Sequence, residues 1–403
     1  MNRRHFLVDI CATALVPSAL CVDWQETISL DDRSWKSIAR CYPVRKDGLV
    51  NLNSGSAGNM PLPVEKITMD ALQMCNRTAP YQQKIAWGEA ETFVKMRLGE
   101  AIGGQAGQVY LMRNTTESLD AVLTHHRLSA GEYLYHSTHD YPHGINAMQQ
   151  RSVEHNVPLH TIEYDLEGTD EQIVQSYAQA LQAPGLLLLT HVQHRTGRVL
   201  PVAEIVSVAH EAGVRVLLDA AHSMGHIEHS VAEMGCDYYC TSLHKWLSAP
   251  LGTGLLWVHD DQIDRMPTRP AAPASAAPGL RWDYMGTHAF YLKMGITAAL
   301  DWQEEIGGLA RKQARLSYLT QYWTQRLADQ PMEIVYAPAY GAVAMLRSDK
   351  YSASKLLQLL REGGFHAKTV GNKSLKSGVR ISTNLFVTES DLDRMTDYLI
   401  SHH

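Results

Sequence analysis

An α/β fold with a mostly parallel central sheet and a second, smaller α/β domain at the C-terminus is what this sequence predicts. Three observations predict it. Short apolar runs alternate with segments of helical period between residues 108 and 260, which is how βαβ units read in sequence. A Pro- and Ala-rich stretch at 261–280 then interrupts the pattern and reads as a loop or lid. Beyond it a long helical segment is followed by mixed short elements, and 403 residues with a 45% apolar composition suffice for two cores.

In chain order, strands are expected at 108–112 (QVYLM), 131–137 (GEYLYHS), 184–192 (PGLLLLTHV), 214–221 (VRVLLDAA), 237–242 (DYYCTS) and 254–259 (GLLWVH). Helical segments serve as crossovers: in 116–128 (TESLDAVLTHHRL), Leu119, Val122 and Leu123 share one face at i, i+3, i+4. A domain boundary is expected near 290, and 293–327 reads as one long helix. The expected division is 1–22 as an export signal or disordered N-terminus, 23–60 as a segment packing on the small domain, 61–290 as the large domain and 291–403 as the small one.

Composition narrows the function classes. A formal net charge of −6, with no Lys/Arg run longer than two, lacks the basic footprint that a nucleic-acid partner requires. Six cysteines, at 11, 21, 41, 75, 236 and 240, show no CxxC spacing and are too sparse for a disulfide framework. No stretch of 18 apolar residues exists to span a membrane. At the N-terminus, Arg3 and Arg4 in NRRHFL have the order of a twin-arginine export signal, so a periplasmic location is expected. Asp9 interrupts the apolar stretch that follows and no A-x-A site is present, which leaves a cytoplasmic N-terminus as the other reading.

The chemistry centres on Lys245, in 240–258 (CTSLHKWLSAPLGTGLLWV), between Ser242 and His244 on one side and Gly252 and Gly254 on the other. An ammonium among apolar strand residues is costly to bury unless paired or neutral. An exposed lysine at a strand end is the plain alternative. The neighbours favour a lysine with a depressed pKa, as Schiff-base formation needs. Asp219 ends an apolar strand at the carboxyl edge of the sheet, where open α/β sheets collect ligands. It suits a carboxylate that keeps a pyridine nitrogen protonated, or simply a helix N-cap. In 111–120 (LMRNTTESLD), Asn114, Thr115 and Thr116 precede Glu117 at a helix start: a capping sequence, and by its free N–H groups and hydroxyls an anion site. Together the three describe a cradle for pyridoxal 5'-phosphate (PLP).

With Asp219 in DAAHSMGH followed 26 residues later by Lys245 in SLHKWLSAPLGTG, the chain resembles the class V aminotransferase family of PLP-dependent enzymes, on its isopenicillin-N-epimerase-like branch, over residues 45 to 400. The resemblance implies fold type I, the aspartate aminotransferase-like fold of PLP-dependent transferases, with 61–290 as the PLP-binding domain. It implies that Lys245 is the catalytic lysine carrying the internal aldimine and that Asp219 contacts the pyridine nitrogen. Ser242, His244 and Thr116, with Thr115 beside it, would hold the phosphate. Tyr141 in HSTHDYPHG occupies the ring-stacking place, Gln193 in THVQHRTGRVLP the place that contacts the O3' side, and His222 also lines the ring. Thr287 in MGTHAF would reach the phosphate of the partner's site in a homodimer with shared active sites. Arg380 in SGVRIS would grip a substrate carboxylate, and Asn53 in NLNSGSAGNMP lies in the substrate loop. Tyr141 as ordinary packing and Arg380 as a surface ion pair are the alternatives for those two.

The reaction expected is therefore proton removal at Cα of an amino acid or amino-acid-containing metabolite by Lys245, leading to transamination or epimerisation, with a PLP-dependent C–S or β lyase as the alternative. Cysteine desulfurases of this fold need a nucleophilic cysteine shortly before the carboxylate-binding arginine. No cysteine follows Cys240, which disfavours persulfide chemistry. Two rivals stand beside this reading. His222, His226 and His229 in HSMGHIEH recur at i, i+4, i+7, a face on which a metal-binding protein could be built. The other is a relative of the fold that has lost catalysis.

Overall fold

The structure, a computed structural model, describes residues 34–44, 48–78, 80–266, 282, 286–336 and 340–403. After a short strand β1 (Val50–Asn51) and two helices, Leu62–Arg77 and Pro80–Ile102, the chain builds seven strands: β2 (Val109–Met112), β3 (Tyr133–Ser137), β4 (Leu159–Ile162), β5 (Gly185–Thr190), β6 (Val214–Asp219), β7 (Tyr238–Ser242) and β8 (Gly254–Val258). They form one sheet in the order β2-β8-β7-β6-β5-β3-β4. β3 to β7 pair parallel where they touch, and β8 runs antiparallel to both β7 and β2, so six strands point one way.

Helices cover this sheet, so its central strands are buried along their whole length: GLLLLT, YYCTS and GLLWV read as continuous runs because both faces are covered. β4 was not legible as a strand. Its LHTI lies at the sheet edge with His160 and Thr161 exposed, so only two of its four residues are apolar. The crossover helices start where capping chemistry lets them. Asn114 caps Thr115–His125 by accepting from Glu117 N, Thr169 and Gln172 form a capping box, and Pro142 opens the helix Pro142–His155.

The C-terminal part holds β9 (Met332–Val335), β10 (Val343–Ser348), β11 (Phe365–His366), β12 (Lys368–Val370) and β13 (Gly378–Ser382). Four of them make an antiparallel sheet in the order β12-β13-β10-β9, while β11 pairs parallel with β1. The expected long helix is two helices, Tyr291–Glu305 and Gly308–Arg326. Gly307 and Gly308 have φ of 102° and 86°, outside helical space, and turn the chain between them. The first packs on Leu62–Arg77 and Pro80–Ile102, the second on Glu389–His402. The N-terminal stretch 1–22, and 267–280 of the expected lid, lie outside the described residues.

Every polar loop that matters leaves the sheet at one edge. Thr115 follows β2, Tyr141 follows β3, Gln193 follows β5, Asp219 ends β6 and Ser242 ends β7. Close approach fixes this edge at Gly254, the first residue of β8. A Cβ there would stand 2.6 Å from the backbone nitrogen of Asn114. Gly254→Ala is therefore expected to lower stability by about 1–3 kcal/mol, the usual cost of overpacking, read as a lower urea midpoint with an unchanged m-value.

Candidate active site

Lys245 sits in the loop between β7 and β8, and the loop has little freedom. It is closed by Leu243 N donating to Thr253 O (3.0 Å) and Ala249 N to Leu243 O (3.2 Å). From one side the N–H of Gly58 donates to His244 O (2.9 Å), and a Cβ at Gly58 would fall 1.9 Å from Lys245 O. From another, a Cβ at Gly225 would stand 2.6 Å from Leu247 N, and the ammonium of Lys312 donates to Trp246 O. Glycine is required at both contacts because the backbone of the lysine loop fills the space.

Desolvation pulls the pKa of Lys245 down to about 8, Asp219 opposing and Arg380 and Lys368 adding to it. Its Nζ lies 3.3 Å from His222 Nε2. Asp219, 4% exposed, is pushed up to about 6 by burial, against the pull of the Ala221 N–H on its Oδ1 (3.0 Å) and of Lys245. Parallel pairing places Asp219 beside Cys240 on β7 and Thr190 on β5, deep in the sheet. Such a carboxyl stays ionised at neutral pH when a buried N–H cation comes to it. His222, also buried, is held well below the usual imidazole range, by burial first and then by Lys245 and Arg380.

Where the end of β7, the strand next to β6, meets the chain leaving β2 there is an anion cradle. Ser242 Oγ accepts from Thr115 N (3.0 Å) and shares a 2.7 Å hydrogen bond with Thr115 Oγ1, at the first turn of an eleven-residue helix. Thr116 is the next residue of that turn. His244 is steered by Nδ1 against Thr253 O (2.9 Å), and burial lowers its pKa. Backbone N–H groups, hydroxyls and a helix N-terminus are what a phosphate needs.

On the opposite side, from β13, comes Arg380, 3% exposed. It donates to His194 O, Asn53 Oδ1 and Ser56 Oγ, each at 2.9 Å, and its buried Nε has no partner among the described residues. No carboxylate pairs with it among those residues. Burial lowers its pKa to about 10, and Lys368 stands directly across from it on β12. A cation kept this dry without an anion is a site for an anionic ligand. Asn53 reaches it because β1 runs beside β11 and Asn53 bridges to Ser382. A Cβ at Gly55 would be 3.1 Å from Arg380 Cζ and 3.3 Å from His222 Cε1, so the loop 53–58 passes between the arginine and the lysine side of the site.

The remaining expected residues are placed unevenly. Tyr141 packs edge-on to His194 (centroids 4.9 Å), whose backbone carbonyl accepts from Arg380. Gln193 is 1% exposed and donates to Tyr164 Oη (2.8 Å). Thr287 is exposed and hydrogen-bonds to none of the other site residues among those described. Sequence reading missed Trp246, Gly55, Gly58, Ser56, Lys368 and Asp140. Asp140 lay in the histidine-rich stretch, yet it is what ties β3 to β5, accepting from Ser137 N (2.6 Å), Thr190 N (3.1 Å) and Thr190 Oγ1 (2.7 Å).

The metal-binding rival does not survive. HSMGHIEH is a run of turns and not a helix, so the i, i+4, i+7 face does not exist. His226 spends Nδ1 on His222 O (2.8 Å) and Nε2 on Ala342 N (2.7 Å), and His229 is held by Ile227 O and Tyr239 Oη. Among the described residues no group of three metal-ligating side chains converges.

The sequence profile of the aminotransferase class-V family matches residues 86–395. The chain belongs to the class-V aminotransferases. Within that family it is 27% identical to isopenicillin N epimerase of Streptomyces clavuligerus over 383 residues, 87% of this chain and 94% of that protein. It is 26% identical to a cysteine desulfurase of Cronobacter sakazakii over 338 residues, 78% of this chain and 80% of that one. Its fold matches the cystine C–S lyase C-DES in complex with its reaction product cysteine persulfide, with a TM-score of 0.81 at 19% identity over 89% of this chain and 99% of that one. An apo cysteine desulfurase from Thermococcus onnurineus matches equally, with a TM-score of 0.81 at 17% identity over 91% and 98%. The expected type I architecture, a mostly parallel sheet with a smaller α/β domain, is thus the architecture observed.

The charge of this class-V site has a measurable consequence. Lys245 titrates near 8 folded against 10.5 unfolded. Below pH 8 both states are protonated and burial of the ammonium costs stability in full; between 8 and 10.5 the unfolded chain binds more protons, so that cost fades as pH rises. Lys245→Met is expected to melt higher than the ligand-free parent at pH 7, with the gap closing toward pH 10.5. A gap that widened with pH would contradict the charge assignment.

Proposed function

We propose that this class-V enzyme binds PLP and acts at Cα of an amino acid or amino-acid-containing metabolite. The observation that carries the reading is the alignment of one half-buried, desolvated lysine, one buried aspartate, one anion cradle and one buried arginine with no carboxylate partner among the described residues. The donor set fits the group. Thr115, Thr116, Ser242 and His244 would hold its phosphate, Asp219 its pyridine nitrogen, and Lys245 its aldehyde carbon; Tyr141, Gln193 and His222 are the residues assigned to its ring.

When bound, PLP withdraws electrons from Cα and makes the bonds there labile. The protein does the rest. Asp219 holds a proton at the ring nitrogen, for which its pKa of about 6 leaves it ionised at neutral pH. Arg380 and Asn53 fix the substrate carboxylate and so choose which Cα bond faces Lys245. Lys245 Nζ, titrating near 8, takes the Cα proton; epimerisation then requires a proton to be delivered to the opposite face of that carbon, and transamination requires it to be passed to another carbon. Epimerisation and transamination follow from these roles, and a C–S or β lyase uses the same residues. The persulfide route of a desulfurase has no nucleophile here: no cysteine follows Cys240, and among the described cysteines Cys41, Cys236 and Cys240 are buried.

Two further parts belong to the proposal. The functional unit is a homodimer with shared active sites, in which the exposed Thr287 serves the partner's phosphate site. The NRRHFL start directs export of the folded enzyme to the periplasm.

Purified enzyme is expected to absorb at about 410–430 nm, as a PLP–lysine adduct does, and borohydride is expected to fix the cofactor covalently in the parent but not in Lys245→Ala. A colourless protein that PLP cannot restore would sink the proposal. Arg380→Gln removes charge-assisted hydrogen bonds to the carboxylate, each worth about 1.5–3 kcal/mol. Substrate binding is expected to weaken by about 10- to 100-fold while the absorbance of the bound cofactor is kept.

A further inference from the structure

Trp246 follows Lys245 directly and reads in sequence as one more apolar residue. It is fully buried, and its indole Nε1–H donates to His222 Nδ1 at 3.2 Å. The other nitrogen of that histidine, Nε2, is the one 3.3 Å from Lys245 Nζ. An indole nitrogen can only donate, so Nδ1 of His222 must offer its lone pair. A neutral imidazole with a free Nδ1 carries its proton on Nε2. That N–H faces the lysine and can be satisfied only by a lone pair on Nζ. An ammonium at Lys245 would need the opposite tautomer, with a proton on Nδ1 pointing at the indole N–H, and an imidazolium would make the same collision.

We propose that Trp246 is a positioning residue: it locks His222 as the Nε2–H tautomer and thereby shifts Lys245 toward the free amine, the form that captures a carbonyl, so that it is reached at lower pH. The inference rests on the PLP reading and deepens it. The lock is itself braced. His226 stacks on the indole with centroids 4.1 Å apart and planes 17° apart. Both its nitrogens are committed, one to His222 O and the other to Ala342 N of the small domain. Lys312, from the helix Gly308–Arg326, holds the carbonyl of Trp246. The other charges bearing on Lys245 are Asp219 from β6, which favours the ammonium, and Arg380 and Lys368 from β13 and β12, which oppose it; Lys245, Arg380, His194 and His226 bear on His222. The tautomer adds a directional preference that those charges do not supply.

Trp246→Phe keeps a ring for the His226 stack and removes the N–H. In the full-length enzyme stripped of PLP, the rate of PLP capture is followed by absorbance against pH. With Nδ1 free, His222 can move its proton there and turn the Nε2 lone pair toward an ammonium. The midpoint is expected to rise by about one pH unit, so that capture at neutral pH slows about tenfold, and adding His222→Gln to the variant is expected to produce no further rise. A midpoint that stays in place, in a Trp246→Phe protein that melts like the parent, overturns the inference and leaves the indole as packing. If the variant does not fold, histidine 15N spectra of the stripped parent decide, with His222→Gln assigning the resonance: protonation at Nε2 supports the lock and protonation at Nδ1 overturns it. A parent that captures no PLP at any pH would instead defeat the functional reading, which is a separate result.

Discussion

Two desolvated cations, Lys245 from the large domain and Arg380 from the small one, face the same space with Asp219 as the nearby buried carboxylate, and the rest of the structure follows from holding them there. Each is lowered from its ordinary pKa by burial, and Arg380 adds to the lowering of Lys245. Asp219 cannot neutralise both, since burial leaves it only partly ionised near pH 6. The domains must therefore be packed tightly enough to impose the arrangement. The packing is visible in contacts with no room for a side chain: Gly58 and Gly225 against the lysine loop, Gly55 between Arg380 and His222, and Gly197, where a Cβ would lie 2.1 Å from Val343 O. On the proposed reading, ligands that bring negative charge would relieve the imbalance: a phosphate at the helix beginning with Thr115 and a carboxylate at Arg380.

How much of this was readable in sequence divides along a physical line. The central strands were legible because a sheet covered on both faces needs unbroken apolar runs, and GLLLLT or GLLWV satisfy nothing else so well. Asp219 and Lys245 were legible because their chemistry is costly in an apolar setting and their spacing places them on adjacent strand ends. What escaped were roles that belong to no residue type. Trp246 reads as core by composition, and only its N–H direction separates it from packing. Gly55 and Gly58 lay within a quoted loop, but the need for them is set by Arg380 and Lys245, more than 180 residues away. β4 escaped because an edge strand with one exposed face carries a weak pattern, and the break at Gly307 was hidden inside an otherwise helical period.

The histidines show why counting residues misleads where accounting for atoms does not. Twenty histidines raised a metal site, and three of them fall near one another around Trp246 and Tyr239. Each ring nitrogen already has a partner, and none of the partners is another ligand aimed at a common point. Burial also holds His222, His226 and His229 below the ordinary imidazole range, so they are neutral hydrogen-bonding parts of the scaffold at physiological pH. Their work is to carry direction from one domain to the other: Ala342 N to His226, His226 to the carbonyl of His222, and His222 to the lysine.

Stability and function are opposed at this centre. Lys312, 1% exposed and lowered to about 7, adds a third buried cation whose hydrogen-bond acceptor is a backbone carbonyl of the lysine loop. A chain selected for stability alone would replace it, Lys245 and Arg380 with apolar residues of similar size, which is often neutral or favourable for buried charges. Their retention means that the apolar clusters must carry the cost, and the largest of those among the described residues runs continuously from the central sheet through Trp246 and Leu247 into the helices and strands of the small domain. The hydrophobic core therefore passes directly beneath the lysine loop. It holds the large and small domains together where Lys245 and Arg380 oppose each other.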